Sequence, residues 1–136
     1  NIDLPYVMLY ATPGAWGGVV MRYLPGITGC WSCMKMWQAD NPKEYVPPMD
    51  DGGEIQPPGC SDFTFTGTGF DLQNISLAAV RLAISTLCKG EAAGDPDMKW
   101  DWAVLKLVDD NHEPTIPQWN SQPLKIHPNC PYHGFH

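Results

Sequence analysis

Two pairs of soft metal ligands with identical spacing stand near opposite ends of the chain, Cys30-x-x-Cys33 and Cys130-x-x-His133. A Cys-x-x-Cys in a tight turn aims two thiolates at one point, and a second pair completes the four ligands of a tetrahedral zinc ion. If one ion takes both pairs, the tail has to return to the turn after the second strand. No other feature limits the topology as much. His127 and His136 in the same tail are rival fourth ligands. The competing readings are a thiol redox motif at Cys30 and Cys33, or ordinary core thiols with solvated histidines. Two half-sites at matched spacing favour zinc over either. Four protein ligands leave no open position for water, so such an ion holds structure rather than performing chemistry.

The 136 residues suffice for one domain with a real core. With 43% hydrophobic and 17% charged residues, the composition is that of a globular chain. A net charge of -7 without clustered Lys or Arg argues against a nucleic-acid binder. The apolar stretch near the start is broken by Pro13, Gly14, Gly17 and Gly18, too early to cross a bilayer. A secretory signal would need a basic start and a small-residue cleavage site, and neither is present. The five cysteines are an odd number, unlike the even, dense set of a secreted disulfide scaffold. These features point to a cytoplasmic protein. The chain opens on Asn1 and runs at once into the apolar residues 4–10, which reads as an excised piece of a longer polypeptide.

Apolar runs predict strands over residues 5–11 and 18–24, the second closed by Pro25 and Gly26. Cys30 and Cys33 then fall in a glycine-flanked turn, followed by a long loop over about residues 38–61 rich in Pro and Gly. Residues 71–88 predict a helix, with Asp71 as N-cap and Lys89-Gly90 as its stop. Leu72, Ile75, Ala79, Leu82 and Ala83 form one apolar stripe, and Leu77, Val80, Ile84 and Leu87 form another. A helix apolar nearly all round is buried on most faces, which implies missing partner structure or a dimer interface. After a polar turn over residues 91–97, two further strands are predicted over 100–108 and 117–126, able to pair antiparallel.

Several smaller motifs carry little. Gly67-Thr68-Gly69 before the helix lacks the rest of a nucleotide-loop fingerprint, with Leu72 where glycine is needed, and reads as a tight lead into the helix. The Asn74-Ile75-Ser76 glycosylation triplet lies inside that helix. Cys88 reads as buried filler, Asp109 and Asp110 as solvated turn residues, and Trp31 as a shield for the metal.

The order of these pieces resembles the later half of ThiF/MoeB/HesA-type adenylyltransferases, relatives of the ubiquitin-activating enzymes. The resemblance rests on Pro5-Tyr6-Val7, Gly14-Ala15-Trp16-Gly17-Gly18 and the segment from Pro25 through Cys30 to Cys33. It continues through Pro57-Pro58-Gly59-Cys60, the helix from Ile75 to Ile84, and the tail Pro128-Asn129-Cys130. What it implies is an α/β fold: residues 1–136 as the latter portion of a Rossmann-like adenylation domain, with a zinc-stapled antiparallel strand extension. The implied enzyme is a transferase that uses ATP and magnesium to adenylate the C-terminal glycine of a ubiquitin-like or sulfur-carrier protein, working as a homodimer. Its zinc is structural, and Cys60 stands where many members place the reactive cysteine. The nucleotide-binding half is absent from these residues, so the chain alone is expected to be inactive. His133 replaces the usual fourth cysteine, which zinc tolerates. A reactive Cys60 needs a stabilised thiolate, yet Asp62 is its charged neighbour and only the start of the helix at Asp71 offers help. The contrasting expectation is a non-catalytic zinc-stabilised module that binds a protein or peptide tail.

Overall fold

A computed structural model describes residues 3–50, 67–89 and 97–133. Cys60, His136, the Gly90 helix stop, most of the 91–97 turn and the latter part of the predicted long loop lie outside the described residues. Strands β1 (Tyr6–Ala11), β2 (Gly17–Tyr23), β3 (Trp102–Val108) and β4 (Pro114–Gln122) form one sheet in the order β1-β2-β3-β4. Helices α1 (Trp31–Asp40), α2 (Pro42–Tyr45) and α3 (Gly69–Leu87) all fall between β2 and β3.

All three strand pairings are antiparallel. The mixed α/β class therefore holds, and so does the antiparallel pairing of the last two strands. A Rossmann-like sheet is not supported, because it needs parallel strands joined by helical crossovers. Here β1–β2 and β3–β4 are short-linked neighbours, and short links permit only antiparallel pairing. The β3–β4 register shifts between Lys106 and Val108, which lets β4 start at Pro114, earlier than its composition suggests.

Side chains alternate between two cores, as the period of a strand requires. Val19, Met21, Trp102 and Val104 face α1 and the C-terminal tail, with Cys33, Met34, Leu124 and Cys130 packed on them. Val20, Leu105 and Leu107 face α3 through Ile75, Ala79 and Leu82. The helix comes close because Gly18 leaves room: a Cβ there would lie 2.5 Å from Ile75 Cδ1. Thr68 is the N-cap residue of α3, not Asp71; its hydroxyl donates instead to Asp71 Oδ2 at 2.7 Å. The helix buries a single stripe. Leu77, Val80, Ile84 and Leu87 of the other stripe are exposed, against the expectation of burial on most faces.

One buried cation crosses the α3 core. Arg22 is only 4% exposed, and its guanidinium donates to Asp101 Oδ1 (3.0 Å), Asp97 Oδ1 (3.2 Å), Thr86 Oγ1 (2.8 Å) and the Met98 carbonyl (2.9 Å). Asp101 also accepts the Leu124 N–H at 3.0 Å, so β2, α3 and the entry and exit of the β3–β4 pair meet at one ion-pair network.

Candidate metal centre

The turn that delivers the first ligand pair is built at Leu24. Its carbonyl accepts the N–H groups of Ile27 and Thr28, its own N–H is taken by Thr28 Oγ1, and Gly26 supplies the positive φ of 74°. The chain then enters α1. Cys30 is the N-cap residue and Cys33 lies inside the first turn, so the pair opens a helix rather than sitting in a free turn. The tail runs beside it: Gly29 N–H donates to the Leu124 carbonyl at 2.8 Å, and Trp37 Nε1 donates to the Lys125 carbonyl at 2.8 Å. A Cβ at Gly29 would meet the Lys125 carbonyl oxygen at 2.7 Å, which is why glycine stands at this crossing. Past it the chain turns again, with Cys130 N–H donating to the His127 carbonyl at 3.0 Å.

These two segments bring Cys30, Cys33, Cys130 and His133 together, their ligand atoms all within 4.8 Å of one another. Cys30 Sγ is 3.9 Å from Cys33 Sγ and 3.8 Å from Cys130 Sγ. An ion with metal–sulfur bonds of about 2.3 Å in tetrahedral geometry separates its sulfurs by about 3.8 Å. His133 Nε2 is buried and has no hydrogen-bond partner among the described residues, the state expected of a nitrogen reserved for a metal. The four residues thus fit a metal ion such as zinc in both spacing and donor chemistry.

The thiols do not share their protons evenly. Burial raises Cys30, but the backbone of Cys33 and Ser32 and the sulfur of Cys130 outweigh it, and the net shift is downward. Burial pushes Cys33 up to about 12, with the neighbouring sulfurs Cys130 and Cys30 adding to the rise. A divalent cation reverses this, since it binds thiolates and releases their protons. Cys33 and Cys130 are fully buried, whereas Cys30 and His133 line a small cavity of about 170 Å³ together with Tyr6, Tyr23, Trp31 and Tyr132. Trp31 therefore walls the approach to the cluster, as a shield would, and its backbone N–H is held by Tyr6 Oη at 3.0 Å.

His127, the rival ligand, is engaged elsewhere. Its Nδ1 accepts the Asn129 N–H at 3.1 Å and its Nε2 lies 2.8 Å from Asp40 Oδ2. Cys88 caps the C-terminal end of α3 away from the cluster, half-buried and free. Asp109 Oδ1 accepts the N–H groups of Asn111 and Glu113, so it shapes the β3–β4 turn rather than a site. Arg22 belongs to no sequence motif, and a lone charge inside the apolar run of β2 is the one signal that points to it.

No helix among the described residues is long and apolar enough to cross a membrane. No protein-family model matches the chain, and no solved structure is significantly similar to it. Curated proteins similar to it include two from Sinorhizobium fredii (strain NBRC 101917 / NGR234). Uncharacterized protein y4oA is 37% identical over 132 residues, covering 96% of this chain and 21% of its own length. Uncharacterized protein y4qC is 33% identical over 137 residues, covering 93% of this chain and 22% of its own length. The chain spans about a fifth of the length of these relatives, so its counterpart in each is one segment of a much longer polypeptide.

Proposed function

We propose that Cys30, Cys33, Cys130 and His133 hold a structural zinc ion, and that this chain is the latter part of a ThiF-type adenylyltransferase. The parent enzyme activates the C-terminal glycine of a ubiquitin-like or sulfur-carrier protein. The observation that carries this reading is the ligand cluster itself. It joins residues 30–33 to 130–133, the first and last pieces of the order on which the family resemblance rests: ligand pair, proline-preceded Cys60, apolar helix, strand pair and second ligand pair. Zinc supplies cohesion here: with four protein ligands it fixes the tail against α1 and leaves no site for substrate.

ATP and magnesium belong to other parts of the parent protein. The start of α3 disfavours a phosphate, because Asp71 places a carboxylate in its first turn. Cys60 is the acyl acceptor in this reading and lies outside the described residues.

A second reading, a zinc-stabilised module that binds an extended peptide without chemistry, draws support from an apolar groove of about 670 Å³ between β1 and α1. The two are separated by carrier-dependent ATP–pyrophosphate exchange in the full-length polypeptide. Exchange, with a reductant-sensitive carrier adduct lost in Cys60→Ala, is the outcome for the adenylyltransferase. Peptide binding without exchange leaves the module.

A further inference from the structure

β1 is an edge strand with the composition of an interior one. Tyr6 to Ala11 carries no charge and no proline, and it pairs with β2 in a regular register without a bulge. Edge strands are normally blunted by such devices, because their open backbone groups recruit other strands. Unbroken apolar runs belong instead to strands covered on both faces. The opposite edge behaves as edges should: β4 contains Pro114 and Pro117 and ends in the polar residues Asn120, Ser121 and Gln122. Among the described residues β1 pairs with β2 alone.

Among the described residues, exposed apolar surface flanks β1 on both sides of the sheet. On the α1 side, the groove is lined by Met8, Tyr10, Trp31, Val46, Pro47 and Met49. On the α3 side, Leu9 is 43% exposed, and the outer stripe of α3 offers Val80 and Leu87 at 52% and 82% exposure. A small molecule in the groove would account for one side only. A helix laid on α3 would leave the backbone edge of β1 open. A further strand accounts for all three features at once: its backbone pairs with β1 and its alternate side chains, with the layers they carry, cover both faces.

We infer that β1 is an interior strand of a larger sheet, and that its open edge receives a β-strand, apolar on both faces, from polypeptide outside these 136 residues. The occupant follows from the relatives. In y4oA and y4qC about four-fifths of the length lies outside the matched segment, ample to supply a strand and its covering layers. The inference rests on β1 and its flanks and not on the adenylyltransferase reading; either can fail without the other.

Photo-crosslinking in the full-length polypeptide tests it. A benzophenone side chain replaces Leu9 or Val80, with Ile116 on β4 as the control position, and the products are mapped by mass spectrometry. The expected result is an intramolecular cross-link from Leu9 and Val80 to a segment outside these residues, and none from Ile116. Cross-links to a second copy, to other residues within 1–136, or none from Leu9 and Val80 overturn the proposal. Hydrogen exchange on the unsubstituted polypeptide gives an independent reading. Protection of residues 6–11 equal to that of β3 supports an added strand, and rapid exchange at alternate β1 amides refutes it.

Discussion

His127 Nε2 lies 2.8 Å from Asp40 Oδ2, and this pairing takes one rival histidine out of the metal cluster. Because Nδ1 already accepts the Asn129 N–H, the proton sits on Nε2 and is donated to the carboxylate. The ring also packs edge-on to Trp37, with centroids 4.6 Å apart, so it anchors the tail to α1 rather than binding the ion.

Ligand assignment follows directly. His127→Ala is expected to keep a full equivalent of metal, whereas His133→Ala weakens binding by more than roughly 100-fold, beyond the usual cost of an outer-shell change. His133→Cys restores binding as a four-thiolate site. Cobalt substitution checks this, through the intensity of the tetrahedral bands and competition against a chelator. Undiminished cobalt binding by His133→Ala would remove it from the ligand set.

Chelation should loosen the tail before the sheet. Removing the ion leaves the Gly29 and Trp37 hydrogen bonds to the 124–125 carbonyls and the His127–Asp40 pair as ties between the tail and the α1 region. The expected fall in Tm is at least about 10 °C, since structural zinc is worth several kcal/mol and a chain of this size loses roughly 3–4 °C per kcal/mol. Differential scanning calorimetry with and without chelator measures it, and an unchanged Tm would deny the ion a structural role.

Arg22→Met should cost about 3–5 kcal/mol, because it strands the Asp101 carboxylate without its cation. Arg22→Lys is not expected to restore stability, as an ammonium cannot reach Asp101, Asp97, Thr86 and the Met98 carbonyl together. Urea unfolding at fixed metal content decides between these outcomes and a merely polar role.

Acid should weaken the same network through Asp97. Burial raises its carboxyl, but Lys89 and Arg22 outweigh that, and the folded-state value lies below the ordinary one. A group depressed by folding contributes stability above its unfolded value and loses it as pH falls through the folded one. The stability gap between wild type and Asp97→Asn is therefore expected to be constant above about pH 5 and to close at lower pH. A gap that widens in acid would contradict the assignment.

Gly18→Ala probes the seat of α3. Its Cβ would lie 2.5 Å from both Ile75 Cδ1 and the Tyr10 carbonyl oxygen, so the helix or β1 has to shift. Overpacking of this kind costs about 1–3 kcal/mol. A neutral result in urea unfolding would mean that α3 is free to ride up.

The strands and the long helix were legible because their apolar periodicity is strong, and the ligand set because two pairs share one spacing. The start of α1 was not. Cys30 to Cys33 reads as a turn when Gly29 is taken as a local signal, whereas the glycine is there to let the Lys125 carbonyl pass. Sheet direction was hidden for a similar reason: residues 24–101 could link parallel or antiparallel strands, and only the register that runs from Gly17↔Lys106 down to Met21↔Trp102 decides it. The helix begins at Gly69, two residues before Asp71, so the extended Thr68 takes the N-cap and Asp71 falls inside the first turn. The Arg22 network is not legible in the sequence, because its partners Thr86, Asp97, Met98 and Asp101 come from distant positions.

Cys30 and Cys130 stand a hundred positions apart yet have sulfurs 3.8 Å from each other. During synthesis the first pair leaves the ribosome long before the second, so the site cannot close until Cys130 and His133 have emerged. The four ligands therefore cannot meet until the strands between them, β3 and β4, have also been made.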